Sequence, residues 1–459
     1  MDTPRVIPQD LLQSNSSVSY LTSTAELHLP QNRDYKKQKK GERRIMRNIL
    51  MKSRQYAGLM LVLALMTVAV PGLSQQDLHW ATTWSMSPSS FPPAFPPAAD
   101  APDAFSDQTL RQIIHTSAAG DTVRIRLSNT HGDKPLQIGA VTIAVQAVGS
   151  SIVAETLRPL TFSQRSSFTI PRGAVAISDP ISFAVPAMSN LSISIYLPAG
   201  SGAATSHLAA QQSNYVSGPG DFSSSTNIPD ASEMVVWNYL TAVDVGRSDA
   251  ISTIVTVGDS ITDGVGSSRD SNSRWPNFLV KRLASAADMP TFAVANAGIS
   301  GNRVLHENLP RFGENLQARF ERDVLALSGV SHVVLMEGIN DIGMVSMFPG
   351  EEVSADDIIA GYRQIIARVK ARGIKIIGAT LTPYEGAAYY SVQGENKRQQ
   401  VNNWIRNGGE FDGIIDFEDA LKDFTYPLQI ISDFTADNLH PNDAGYEAMA
   451  NVIDLNLFR

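Results

Sequence analysis

A serine, a histidine and an aspartate together can do nucleophilic chemistry, and this sequence sets all three in short blocks rich in Gly, Asp and Asn. Gly258–Gly264 reads GDSITDG around Ser260, and Asp437–Pro441 reads DNLHP, with Asp437 three residues ahead of His440. A serine hydroxyl is a poor nucleophile until a nearby base takes its proton. The C-terminal half holds His306, His332 and His440. His332 opens an apolar run and reads as structural. His306 lies in a loop with no carboxylate at a comparable spacing, where it suits the wall of a cleft. His440 has Asp437 on the same turn, so a carboxylate can hold the imidazole tautomer and stabilise the imidazolium. Asp433 is the nearest competitor for that acid role.

Residues so far apart in sequence need a frame to bring them together. TIVTV (253–257) is a continuous apolar run, as expected of a strand buried on both faces, and Gly258 then allows a sharp turn that sets Ser260 at the strand's carboxyl edge. Further strands are expected at 291–296, 332–338, 374–382 and 413–418. Amphipathic helices are expected at Trp275–Ala287, 314–327, 354–372 and 394–407, and from Asn442 toward Leu457. Strands alternating with helices imply a parallel sheet covered by helices. Function in such sheets sits at the carboxyl ends of the strands. Two more polar blocks fall at such ends: NAGISGNR (Asn296–Arg303) and EGIND (Glu337–Asp341).

These four blocks, in this order, resemble the SGNH/GDSL hydrolase family over about 210 residues, from Ile251 to the last residue. The resemblance implies a three-layer α/β/α domain with Ser260 as nucleophile and Asp437 and His440 as paired acid and base. It also implies an oxyanion hole made by the N–H groups of Ser260 and Gly301 and the side-chain amide of Asn340, with no cofactor and no metal. Asp259 and Asp341 are expected to fix loop geometry, and Arg303 and Trp275 are candidates for the cleft lining. The nucleophile elbow G-x-S-x-G and the zinc motif H-E-x-x-H are both missing, which disfavours an α/β-hydrolase and metal-assisted hydrolysis. The activity implied is a serine esterase working through an acyl-enzyme on a small-molecule or carbohydrate ester, acetyl groups foremost. Lysophospholipid or aryl esters are the runners-up. A glycan-binding protein with a vestigial hydrolase domain, or an acyltransferase using the same residues, are rival readings. Specificity is expected to reside in the loops 264–274, 303–313 and 383–395.

With 459 residues the chain exceeds one ordinary domain. Between Ala104 and about Val245 short alternating runs such as TVRIRLSNT (from Thr122) and SNLSISIYLP (from Ser189) predict an antiparallel β-sandwich, followed by a short linker at Asp244–Ser252 and the α/β domain over 246–459. The sandwich is expected to shape one wall of the cleft; sugar stacking on Trp80, Trp84 or Trp237 is the alternative. His115, His131 and His207 stand apart from one another and from paired carboxylates, which disfavours a metal site there. Residues 75–103 read as a Pro-rich extended segment.

A charged stretch with Lys52 and Arg54, an apolar run from Ala57 to Val70 and a small-residue exit read as a Sec-type signal peptide over 51–74, cleaved after Ser74, implying a secreted or periplasmic protein without stable membrane insertion. Residues 1–50 read as a non-native or disordered extension, with the true start at Met46 or Met51. Residues 1–74 carry 11 Lys+Arg against 5 Asp+Glu, which leaves 26 basic and 40 acidic residues beyond them. A body that acidic repels phosphate backbones, so nucleic acid is excluded as a partner. Without cysteine the chain has no disulfide, no thiolate metal site and no cysteine nucleophile.

Overall fold

The computed structural model describes residues 78–90, 104–307 and 309–459. The expected extension at 1–50, the signal peptide at 51–74 and most of the Pro-rich segment lie outside the described residues. Gln75–Arg459 cluster as one unit.

Beside two small sheets, Trp237–Asn238 with Thr205–His207 and Ser89–Ser90, and Leu136–Ile138 with Phe168–Ile170, alternating apolar residues build two large antiparallel sheets in the first half, as expected of a sandwich. One runs His79–Ser85, Leu240–Arg247, Gly120–Ser128, Ile181–Val185, with Val175–Ile177 also on Gly120–Ser128. The other runs Ser232–Met234, Asn214–Pro219, Gln108–His115, Asn190–Leu197, Ala140–Val145, Arg158–Leu160. Their inner faces share a core that includes Leu110, Ile125, Ile143, Ile193 and Val243. The linker expected at Asp244–Ser252 is shorter than its polar composition suggests, because Asp244 through Arg247 continue a strand. Asp244 is buried there, accepting from the Thr82 and Ser328 hydroxyls and from Arg124 Nε.

The second half forms a five-stranded parallel sheet from β1 (Ser252–Gly258), β2 (Phe292–Gly298), β3 (Val330–Met336), β4 (Lys375–Ala379) and β5 (Gly413–Ile415). Its spatial order is β2-β1-β3-β4-β5, each neighbouring pair parallel. Helices Trp275–Ser285 and Asp443–Asn451 pack together on one face, and Ala355–Lys370 with Val392–Asn407 on the other. This is the three-layer α/β/α arrangement the alternation predicts. Helix starts follow local chemistry: Ser354 and Asp357 form a reciprocal capping box, and Asn442 accepts from the Gly445 N–H at the start of the last helix. That helix stops at Asn451, short of the expected Leu457, and a separate turn of 3₁₀ helix follows at Leu455–Phe458.

The sandwich meets the parallel sheet along the edge strand β2. Val294 donates its N–H to Ser117 Oγ at 2.9 Å, and the Asn296 carbonyl accepts from Ser85 Oγ at 2.9 Å. The Gly298 N–H is taken by the side chain of Asn296 itself. Three outward backbone groups of this edge are thus met by side chains. No helix among the described residues is long and apolar enough to cross a membrane.

Candidate active site

The strand order reverses between β1 and β3, and at such a switch point the carboxyl ends of the strands open a crevice. Ser260 follows β1 and Asn340 follows β3, flanking that point. Gly258 is needed there, although not for the sharp turn expected of it. Its φ is not positive; a Cβ on it would lie 2.2 Å from the Met336 carbonyl oxygen, so the requirement is close approach of β1 to β3. Asp259 then caps the four-residue helix Ser260–Asp263, accepting from the Ile261 N–H at 3.0 Å. Ser260 is the first residue of that helix, where backbone N–H groups have no intrahelical acceptor.

Ser260, His440 and Asp437 are brought together. Ser260 Oγ lies 2.9 Å from His440 Nε2, and His440 Nδ1 lies 2.7 Å from Asp437 Oδ2. Asp437 Oδ1 accepts from the backbone N–H of His440 at 2.8 Å and of Leu439 at 3.0 Å. The turn holding them passes through Asn438 at φ +61°, a conformation asparagine tolerates. Partial burial pushes the Asp437 carboxyl up. The hydrogen bonds from His440 and Leu439 outweigh that and hold it below the usual carboxylate range. Asp433 is not in this row; its backbone carbonyl instead accepts from the Asn442 side chain.

Asn340 is fixed at both ends of its amide. Its Nδ2 donates to the Asn302 carbonyl at 3.0 Å, and its Oδ1 accepts from the Tyr389 hydroxyl at 3.3 Å. One N–H of the amide is thereby committed, and the other is left for a ligand. Gly301 has φ +80°, and a Cβ there would fall 2.4 Å from the Phe312 ring, so no other residue fits without displacing that ring. Asn302 beside it is bound on every side: Nδ2 donates to the carbonyls of Phe312 and Glu314, and Oδ1 accepts from Arg319 Nε at 2.7 Å. Arg319, fully buried, also donates to the carbonyls of Gly258 and Ala297, joining the ends of β1 and β2.

Tyr389 and Arg319 went unnoticed in the sequence. Tyr389 had a signal, since it lies in a loop marked for specificity; Arg319 had none, being one of many arginines on an amphipathic helix. The other candidates have structural roles. Trp275 is buried against Phe417, and Arg303 is buried with its guanidinium on Glu351. His332 is packed between the rings of Phe292 and Phe458, where burial pushes it down to about 4. Trp84 and Trp237 are buried edge to face at 4.9 Å, so neither offers a face for sugar stacking. His207 corrects an expectation: far from isolated, its Nε2 lies 2.8 Å from Asp263 Oδ1. Among the described residues, no group of His, Asp and Glu could hold a metal ion.

Beneath the site lie three buried carboxyls, Asp259, Glu337 and Asp341. Burial pushes Asp259 up to about 7, with the Ile261 N–H opposing. Burial likewise pushes Glu337 up to about 8 against the pull of Arg319, and Asp341 up to about 6 against N–H bonds from Val304 and Leu305. Although Arg319 approaches Glu337 at 3.3 Å, Glu337 Oε1 is buried without a partner, which favours the neutral acid. Each group binds its proton more tightly folded than unfolded. Its contribution to stability is therefore complete below the ordinary carboxyl range, about pH 4, and is lost as pH rises through about 6, 7 and 8 in turn. Glu337→Gln is expected to flatten the fall of Tm between about pH 5 and pH 9 and to raise Tm at the alkaline end. Calorimetry across that range checks it; superimposable profiles for the two proteins would refute the assignment.

Residues 256–448 match the model of the GDSL-like Lipase/Acylhydrolase family. No curated protein matches the chain. Among solved structures, the chain is similar to a GDSL-like lipase from Bacteroides thetaiotaomicron, at 20% identity over 45% of this chain and 87% of that one, with a TM-score of 0.34. It is similar also to a catalytic mutant of an acetylxylan esterase from Geobacillus stearothermophilus, at 24% identity over 44% and 91%, TM-score 0.34. A third is an alpha/beta hydrolase enzyme from the metagenome of Lake Arreo, Spain, at 22% identity over 45% and 96%, TM-score 0.36.

Proposed function

Taking residues 256–448 as a GDSL-like lipase/acylhydrolase domain, and the protein as a carboxylic ester hydrolase, we propose that it is an exported esterase that removes short acyl groups, acetyl foremost, from carbohydrate. The observation that carries the mechanism is the unbroken row Ser260 Oγ, His440 Nε2, His440 Nδ1, Asp437 Oδ2. Ser260 attacks the ester carbonyl while His440 takes its proton, and Asp437 holds the ring and stabilises the imidazolium. The oxyanion is received by the N–H groups of Ser260 and Gly301 and by the uncommitted N–H of Asn340. Collapse expels the alcohol, protonated by His440. Water then attacks the acyl-enzyme by the same route and releases the acid.

The surroundings of Asn340 support a small acyl group on a polar alcohol. The Tyr389 ring closes over Gly343 and the Phe312 ring over Gly301, narrowing the space around the carbonyl. Beyond Tyr389 opens a cleft of about 480 Å³ whose lining includes Ser346, Glu352, Tyr390, Gln393 and Lys397 beside Ile342 and Val345. Hydroxyl, amide and charged groups beside an aromatic ring suit a sugar better than an alkyl chain. Export rests on the signal pattern at 51–74. To test both, protein recovered from culture medium, with its N-terminus expected near Gln75, is assayed on p-nitrophenyl esters of increasing chain length and on acetylated xylan and pectin. The expected result is kcat/KM falling at least about tenfold from acetate to octanoate, roughly the loss of 1.4 kcal/mol, with acetate released from a polysaccharide. Equal or better use of octanoate would overturn the short-acyl reading.

A further inference from the structure

Among the buried contacts between the first half of the chain and the parallel-sheet half, one reaches the helix that Ser260 begins. His207, on the short strand Thr205–His207, is 3% exposed. Its Nδ1 lies 2.9 Å from the Ser87 carbonyl oxygen and its Nε2 lies 2.8 Å from Asp263 Oδ1. A carbonyl and a carboxylate oxygen only accept, so both ring nitrogens must carry hydrogen and the ring is an imidazolium. Asp263 is the last residue of the helix that Ser260 begins. Its other oxygen, Oδ2, accepts from the Ser300 N–H at 2.9 Å and the Ser300 hydroxyl at 2.6 Å. Ser300 immediately precedes Gly301. A single carboxylate therefore ties the helix of the nucleophile to the loop of the oxyanion glycine, and a histidine from the other half of the chain holds that carboxylate.

We propose that His207 is a positioning residue: as an imidazolium it fixes Asp263, and through Asp263 it sets the relative placement of Ser260 and Gly301. The proposal rests on the reading of Ser260 and Gly301 given above. The groups around the ring fit this role. Trp237 lies at 5.7 Å between ring centroids and shields one side from water. Arg274 bridges the same two halves, donating Nε to the Asp263 carbonyl at 2.5 Å and its terminal nitrogen to the Ala210 carbonyl. A small cleft here is lined by His115, His207, Asp263 and Arg274, and Arg274 is the cation that opposes protonation of His207. Burial alone would push the imidazole pKa down; the adjacent Asp263 carboxylate, with the hydrogen bond to the Ser87 carbonyl, outweighs burial and Arg274 and holds it above its ordinary value.

The test combines kinetics with a signal that does not depend on turnover. In ¹⁵N-histidine-labelled protein, the resonances assigned to His207 by their loss in His207→Gln are expected to show both nitrogens still protonated above the ordinary histidine pKa of about 6.5. In His207→Gln, kcat for p-nitrophenyl acetate is expected to fall about 10- to 100-fold while KM changes less than about twofold, as misplacement of reacting groups does. Fluorophosphonate labelling of Ser260 should slow but persist. Wild-type kcat should also fall at alkaline pH as His207 loses its proton, a limb missing from the variant. If His207→Gln does not fold, Ser300→Ala removes only the hydroxyl bond to Asp263 and should lower kcat in the same direction, by less. A neutral His207 ring at about pH 7, or a folded His207→Gln or Ser300→Ala protein with wild-type kcat, overturns the proposal. Labelling that survives in Ser260→Ala would instead overturn the nucleophile assignment and leave the nitrogen resonances to decide on His207.

Discussion

Replacing Ser260 by alanine is expected to lower kcat for p-nitrophenyl acetate by about 10⁶-fold and to abolish fluorophosphonate labelling. On the proposed mechanism the size follows from the three groups working as a unit. Without the hydroxyl there is no acyl-enzyme, and His440 and Asp437 have nothing to deprotonate. What remains is binding and the oxyanion donors acting on water. The same logic makes the losses non-additive: His440→Ala should cost about as much alone as together with Ser260→Ala. The Ser260 side chain is small and its Oγ bonds to His440, so its removal leaves the buried cap Asp259–Ile261 intact. The variant should therefore melt close to the parent, which separates chemistry from folding. A Ser260→Ala protein retaining more than about 1% of activity would remove Ser260 from the mechanism.

The second large effect is expected at Asn340. Truncation to alanine should reduce kcat by about 100- to 1,000-fold, roughly 3–4 kcal/mol of transition-state stabilisation, with a much smaller change in KM. The argument is geometric. One N–H of the amide is spent on the Asn302 carbonyl and its oxygen is held by Tyr389, so the remaining N–H is aimed before substrate arrives. A donor fixed in advance costs no reorganisation when charge develops. Asn340→Asp, nearly the same shape, should be no better than alanine, since it offers a negative oxygen to an oxyanion. Steady-state kinetics of the two variants, with melting curves as the control, decide the matter. A loss below about tenfold in kcat would show that the oxyanion is held elsewhere.

Much of this was legible before any coordinates. The buried run at 253–257, the alternation of strand and helix, and polar blocks placed after strands locate the sheet and its working end. The turn from Asp437 to His440 is local, so their spacing, taken with the block around Ser260, pairs the two side chains. The contacts that escaped notice are those that local pattern cannot carry. His207, on a short strand, and Asp263, on a short helix, meet across 56 residues of chain, and nothing in the neighbourhood of either residue announces the other. Asp244 read as linker because it is charged, yet it is buried among partners brought from Thr82, Arg124 and Ser328. His79–Ser85, which stands before the expected start of the sandwich, is a strand because Leu240–Arg247 pairs with it, a long-range event. The reason for Gly258 was likewise tertiary: the carbonyl of Met336 crowds it, and the local turn does not demand it.

The side-chain contacts along the edge of β2 bear on how such a protein behaves at high concentration. A parallel sheet ordinarily presents two rows of unpaired backbone groups to which a strand from a neighbouring molecule can add, the first step toward fibres and aggregates. Here one row is stopped by the hydroxyls of Ser117 and Ser85 and by the Asn296 amide. The opposite edge is β5, only three residues long. Neither side gives an incoming strand a full ladder to copy. The sandwich thus acts as a guard on the sheet as well as its neighbour, and hydroxyl groups do the guarding at no cost in exposed hydrophobic surface.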